Sequence, residues 1–320
     1  RPRARIALIT LGVLLGFALS GAAGAGVYFL PAIKTAFSVT GQKTNDGVSA
    51  EAPGAGQPFT MLLLGSDDDA KFEKDQRLTQ SMILARVDPG SQRVTMLSIP
   101  RDLYVPLSSG GTDKIDKAYS MGGATQSIRT VERNFRVRVD HYAWIGLRGL
   151  VKLIDRVGGV DLVATNPVLD DFYPADLSGG NPYGFERVAV LPGPQHLDGM
   201  RALEYVRSRH GDQRGDFGRS ERQQQVLLAL RAKAKLLGVA DLPEFAGALN
   251  DEFTTDMSVT EANQLLPIAG SVPLSNVKQI VLSDPYTTET TAGDQDVVMP
   301  NWELIRPLVS QYFPRGAGGG

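Results

Sequence analysis

The chain has 320 residues, with 33 Lys and Arg against 35 Asp and Glu, a formal charge of −2 and no cysteine. That length allows a sizeable buried core. The missing thiols exclude disulfides and thiolate chemistry, and the near-balanced charge excludes a nucleic-acid binder held by bulk positive charge.

In chain order, Ile6 to Leu30 is a run of 25 residues without a charge, long enough to cross a bilayer with some tilt. Arg1, Arg3 and Arg5 precede it, so by the positive-inside rule residues 1–5 are cytoplasmic and the chain after Leu30 lies outside the cytoplasm. A cleaved signal peptide, with Ser20 to Gly26 as the small-residue region, is the competing reading. Val27, Tyr28, Phe29 and Leu30 continue the apolar run past those small residues and end it on an interfacial aromatic, so an uncleaved transmembrane helix over 6–30 is expected. Residues 31–58 are expected to be a flexible spacer, because from Gly41 to Pro58 the only hydrophobic larger than alanine is Val48.

A folded domain is expected over 59–313, with 314–320 a disordered tail. Phe59 to Gly65 (FTMLLLG) reads as a buried strand with Ser66, Asp67, Asp68 and Asp69 at its carboxyl end. Ser81 to Val87 and Arg93 to Ile99 read as a strand pair joined at Asp88-Pro89-Gly90. Pro100 closes the second, leaving Arg101 just past a strand end, where open α/β sheets bind ligands; Asp67 and Arg101 are therefore candidates for one crevice. A solvated turn at Asp67 to Asp69 and an Arg101–Asp102 ion pair are the plainer alternatives.

Helices are predicted for Ala124 to Phe135, Leu150 to Val157 and Thr260 to Ala269, and strands for Ala143 to Ile145, Val160 to Ala164 and Val277 to Leu282. Trp302 to Val309 is amphipathic, and Asn166 to Gly193, rich in Pro, Gly, Asp and Tyr, reads as a long loop. Strands alternating with helices imply an α/β layered domain. Neither a phosphate-binding P-loop nor GxGxxG is present, and His141, His196 and His210 lack metal-ligand spacing.

The most informative stretch is Tyr205 to Gly238, read as a short strand, a charged turn and a long helix ending at Gly238. On a strand, Tyr205, Arg207 and Arg209 would share a face. Val226, Leu227, Leu230, Ala234 and Leu237 form a helical stripe whose N-terminal continuation falls on Gln223 and Arg219. Three converging guanidiniums exceed what one carboxylate satisfies, so the stripe points to a polyoxygen anion such as a phosphate or pyrophosphate. Ordinary salt bridges to Asp212, Asp216, Glu204 and Glu221 are the alternative.

Six segments taken together resemble the LytR-CpsA-Psr family, the cell envelope-related transcriptional attenuator domain. They are Leu62 to Asp67 (LLLGSD), Ser98 to Val105 (SIPRDLYV), Asp113 to Gly123 (DKIDKAYSMGG), Val157 to Leu162 (VGGVDL), His196 to His210 (HLDGMRALEYVRSRH) and Gly215 to Leu227 (GDFGRSERQQQVL). Their motif core spans 59–238.

The resemblance implies an α-β-α sandwich with a central mixed sheet and a lipid-lined groove. It also implies a membrane-anchored phosphotransferase that moves a glycopolymer from a polyprenyl diphosphate carrier to peptidoglycan or another envelope acceptor. The attenuator name suggests transcription, but net negative charge and an external domain argue against a nucleic-acid partner. Position by position, it implies that Arg101, Lys114, Arg207, Arg209, Arg219 and Gln223 hold the diphosphate. Arg101, Arg77 and Asp216 would be catalytic, with the spacing around Arg77 altered, and Asp67 would be the ligand of a magnesium ion. Gln80 stands where the family carries its second metal-binding Asp, which weakens the expected Mg2+ site. A non-catalytic module that binds polyprenyl diphosphates or glycans, and a polyprenyl diphosphate pyrophosphatase, are the alternative functions.

Overall fold

The structure is a computed structural model and describes residues 56–66, 77–177, 181, 183–208, 215–234, 249, 252–257 and 272–314. The expected span at 6–30, most of the spacer, Asp67, Arg209, the helix at 260–269, the stop at Gly238 and the tail from 315 lie outside these residues. Among the described residues no helix is long and apolar enough to cross a membrane.

A six-stranded mixed sheet forms the centre. Its strands are β1 (Phe59–Ser66), β2 (Thr79–Asp88), β3 (Arg93–Ile99), β6 (His141–Ile145), β11 (Phe253–Thr255) and β12 (Val277–Val281), in the order β11-β6-β1-β2-β3-β12. β1, β2 and β3 form an antiparallel meander, whereas β6 runs parallel to β1 and β12 parallel to β3. The carboxyl ends of β1 and β3 and the start of β2 therefore meet at one end of the sheet. There the register slips: Gly65 pairs with Ser81 but Ser66 with Thr79, so Gln80 is the extra residue of a bulge. Such a bulge re-aims a side chain away from the ladder.

Both faces of the sheet are covered, as near-continuous apolar strands require. On one face Leu62, Leu64, Met82, Leu84, Leu97 and Ile99 join a core with helix α2 (Gly123–Phe135) and the C-terminal helix α6 (Trp302–Tyr312), reached after the short α1 (Lys117–Ser120). On the other, Ile83, Ala85 and Met96 pack against Leu227 and Leu228 of the long helix α5 (Gly215–Ala234). Gln224 fixes that helix to the sheet, donating to Ser98 Oγ at 2.7 Å and to the Ile280 carbonyl at 3.2 Å. A second apolar cluster joins α5 to α3 (Leu147–Arg156), α4 (Gly199–Arg207) and the strand pair β7 (Val160–Ala164) and β10 (Gly193–Leu197). The layers are α-β-α, as expected.

Two sequence readings are corrected. Tyr205 to Arg207 is not a strand but the end of α4. Asp198 caps that helix by accepting from the Arg201 amide at 2.8 Å, and Ala202, Leu203, Tyr205 and Val206 bury one side of it, so packing overrides the β preference of Tyr and Val. Arg207 thus reaches its place from a helix C-terminus, and strand alternation does not put it beside Arg209. The segment from Asn166 to Gly193 is not a loop either. It contains the hairpin β8 (Val168–Pro174) and β9 (Phe185–Val190), whose Val168, Asp170, Tyr173, Val188 and Val190 are buried. Its alternation is interrupted by a register shift between Asp170 and Tyr173, which hides the period of two. Two further hairpins went unread: β4 (Tyr104–Pro106) with β5 (Thr112–Lys114), and β13 (Thr287–Ala292) with β14 (Gln295–Pro300).

Gly199 sets how closely α4 approaches α3. Its amide donates to Asp155 Oδ1 at 2.7 Å, and a Cβ there would lie 2.3 Å from the Val151 carbonyl oxygen. Gly199→Ala is expected to destabilise by roughly 1–3 kcal/mol, the usual range for overpacking, measured by urea unfolding. A loss under about 0.5 kcal/mol, the scale of an ordinary surface change, would show that the two helices are free to separate.

Candidate functional site

Helices α3, α4 and α5 do not close completely on the sheet. They leave a cleft of ≈ 210 Å³ floored by Leu63, Leu64 and Ile83 and walled by Leu150, Leu203, Val226, Leu227 and Leu230, with Gln80, Ser81, Arg207, Arg219 and Gln223 as its polar and charged lining. The helical stripe read in the sequence is therefore this cleft's wall, and its polar continuation at Arg219 and Gln223 does line the same space. Among the described lining residues apolar ones outnumber polar ones, and the polar ones, Ser66 included, carry guanidiniums, amides and hydroxyls and no carboxylate. Such a cavity suits a ligand with a long apolar part and an anionic head.

Each lining polar group is held. Gln223 Oε1 accepts from Ser81 Oγ at 2.8 Å. Arg219 is only 5% exposed. Arg207 makes a bidentate pair with Asp176, NH1 to Oδ1 at 2.8 Å and NH2 to Oδ2 at 2.9 Å. Gln80, aimed by the bulge, accepts from Arg101 NH1 at 2.6 Å and so joins the cleft to a second charged group. In that group Asp102 receives Arg101 Nε at 3.1 Å and Lys114 Nζ at 2.8 Å. Burial works against the Asp102 charge, but Arg101, Lys114 and Arg219 outweigh it and keep the carboxyl below its usual range. Arg219 and Asp102 are thus electrostatic neighbours, which ties the two groups into one site.

Of the residues singled out in the sequence, Arg101, Lys114, Arg207, Arg219 and Gln223 come together here. The Arg101–Asp102 pair, offered as the plainer alternative, is present as part of the site. Arg77 lies over the Trp144 ring, 5.9 Å from its centroid, and does not line the cleft. Asp67 and Arg209 lie outside the described residues; Asp216 is in the first turn of α5, its side chain likewise outside them. Sequence reasoning missed Asp176, Tyr173 and Arg222. Arg222 is 3% exposed and donates to the Ser208 carbonyl at 2.7 Å, just beyond α4; the signal was its place on the polar-looking flank of α5.

Asp67, the expected magnesium ligand, lies outside the described residues. Gln80 Oε1 is taken by a guanidinium, Asp102 by two cations, and among the described residues no group of three or more His, Cys, Asp or Glu could hold a metal ion. Hard divalent cations need free anionic oxygens.

Cleft and cation set together define an α/β domain that can hold an amphiphile by its anionic head while sequestering its apolar part. Residues 29–302 match the LytR_cpsA_psr family, and the chain belongs to that family. It is 33% identical over 263 residues to the polyisoprenyl-teichoic acid–peptidoglycan teichoic acid transferase TagV of Bacillus subtilis, covering 80% of this chain and 65% of that protein. A TagU transferase of Halalkalibacterium halodurans is 30% identical over 262 residues, covering 79% of this chain and 81% of that one. The crystal structure of B. subtilis TagV superposes with a TM-score of 0.65 at 27% identity, over 81% of this chain and 98% of the other. The chain thus spans about two thirds of the full B. subtilis relative.

Asp116, in the same segment as Lys114, has its Oδ1 buried with no hydrogen-bond partner among the described residues. Burial pushes its carboxyl up to about 6, with Arg101 opposing and Asp102 adding to the shift. An unfolded Asp titrates at about 3.9, so the folded protein binds this proton more tightly. Stability from this group therefore falls as pH rises from about 4 to about 6 and stays lower above that. Asp116→Asn is expected to stabilise the protein by about 3 kcal/mol at about pH 8, with the gain gone below about pH 4. Thermal melts of both proteins across that range check it; a gain independent of pH would refute the buried charge.

Proposed function

We propose that this chain is a membrane-anchored phosphotransferase that moves a glycopolymer from a polyprenyl diphosphate carrier to a hydroxyl of peptidoglycan or another envelope acceptor. The observation that carries the reading is the apolar cleft with Arg207, Arg219 and Gln223 in its lining and Arg101 joined to it through Gln80. The relatives, named as teichoic acid transferases from polyisoprenyl carriers to peptidoglycan, support it. Ile6 to Leu30 serves as the anchor in this proposal, which keeps the domain at the surface where a lipid carrier resides.

In the reaction, the acceptor oxygen bonds to the phosphorus that carries the sugar, and the bond from that phosphorus to the bridging oxygen breaks. The carrier leaves as polyprenyl phosphate and the hydroxyl proton is released. Phosphoryl transfer asks the protein chiefly for alignment and for stabilisation of charge on the equatorial and leaving oxygens. Arg101, Lys114, Arg207, Arg209, Arg219 and Gln223 are proposed to supply this, with Asp216 near the acceptor and Arg77 as a further cation. Guanidinium forks match paired phosphate oxygens and remain charged at any working pH.

Magnesium, which would add charge opposite the diphosphate, enters the proposal through Asp67 alone, since Gln80 is committed to Arg101. Gln80→Asp is expected to raise magnesium affinity measured by calorimetry without lipid; unchanged affinity would remove Gln80 from any metal position.

Arg219→Ala is expected to weaken binding of a short-chain polyprenyl diphosphate by roughly tenfold to a hundredfold, the worth of a charge-assisted hydrogen bond. Arg93, exposed at the far end of β3, is the control. Equal losses in Arg219→Ala and Arg93→Ala would show that the cleft is not the binding site.

A further inference from the structure

The β8–β9 hairpin lies outside the cleft lining, yet its inner face is fastened to the end of α4 at three successive points. Asp170 Oδ2 accepts from Ser208 Oγ at 2.5 Å. The Tyr173 ring lies beneath the Arg207 guanidinium, 5.7 Å from centroid to carbon. Asp176, just past β8, takes both terminal nitrogens of Arg207, and its side chain is 0% exposed while that of Arg207 is 14% exposed. A bidentate carboxylate fixes a guanidinium in plane as well as in position, which a single hydrogen bond does not.

We propose that Asp176 is a positioning residue for the anion site. By gripping both terminal nitrogens of Arg207 against the Tyr173 face, it fixes the plane and position of the guanidinium in the cleft lining that the ligand head meets. The hairpin is then the alignment element of the cleft rather than a decoration on its rim. This rests on the proposed diphosphate reading of the cleft. It adds that the affinity contributed by Arg207 depends on a residue 31 positions away in sequence that does not itself line the cleft. Loss of the carboxylate frees a positive charge, so simple electrostatics would strengthen anion binding, whereas loss of alignment weakens it. The two accounts differ in sign.

The test uses the full chain in detergent and a short-chain polyprenyl diphosphate, with binding measured by calorimetry for wild type, Asp176→Asn, Arg207→Ala and the double variant Arg207→Ala/Asp176→Ala. Asp176→Asn is expected to lose roughly tenfold or more in affinity, as displaced binding groups do. The double variant is expected to bind no worse than Arg207→Ala, because Asp176 acts only through Arg207. An Asp176→Asn protein that binds as well as wild type, or more tightly, overturns the proposal. So does a double variant whose loss is the product of the single losses. If Asp176→Asn does not fold, the double variant, which leaves no unpaired buried charge, decides by its comparison with Arg207→Ala alone. Wild-type protein that does not bind the diphosphate overturns the reading of the cleft, and this proposal with it; binding by wild type with no effect at Asp176 overturns this proposal alone.

Discussion

Positive charge beside an apolar cavity is the constraint on which the rest of this structure depends. A guanidinium removed from water must be paired or it will not stay, and a full set of carboxylate partners would cancel the charge an anion site needs. The protein meets both demands by using partners of different kinds. Arg207 has a carboxylate, Asp176, on the hairpin. Arg101 shares Asp102 with Lys114 and takes a neutral amide oxygen from Gln80 for its other edge. These partners come from the hairpin, the bulge of β2 and the turn after β3, so it is the tertiary fold that makes the cluster possible.

The same constraint explains how much was legible in the sequence. The central strands could be read because Phe59 to Ser66 and Arg93 to Ile99 are apolar on both faces and stopped by Gly or Pro. The cleft wall could be read because Arg219, Gln223, Val226, Leu227 and Leu230 keep helical spacing along one helix. What failed had no local signal. Tyr205 to Arg207 has the composition of a strand, and only Asp198 eight residues before Val206 and the packing of Ala202 and Leu203 make it a helix. The hairpin from Val168 to Val190 is broken by a register shift and by a connection rich in Gly and Pro. Asp176 therefore looked like one more loop acid, since a pairing across 31 residues leaves no periodic trace.

The bulge at Gln80 shows how a backbone irregularity and a side-chain identity act together. In an unbroken ladder, residue 80 would oppose a residue of β1; with Gly65 paired to Ser81 and Ser66 to Thr79, it is freed from the ladder. Gln80 meets Arg101 as a hydrogen bond and brings no negative charge of its own to that edge.

Charge balance over the described site is set by the same partners. Among the described residues, Arg101 and Lys114 pair with Asp102 and hold its carboxyl below the usual range, and Arg207 pairs with Asp176. Asp116, whose carboxyl is pushed up to about 6, would add a negative charge to this group once ionised. Burial is what delays that ionisation, so the same desolvation that makes the arginines need partners also holds this acid neutral until the pH is well above the ordinary range for Asp.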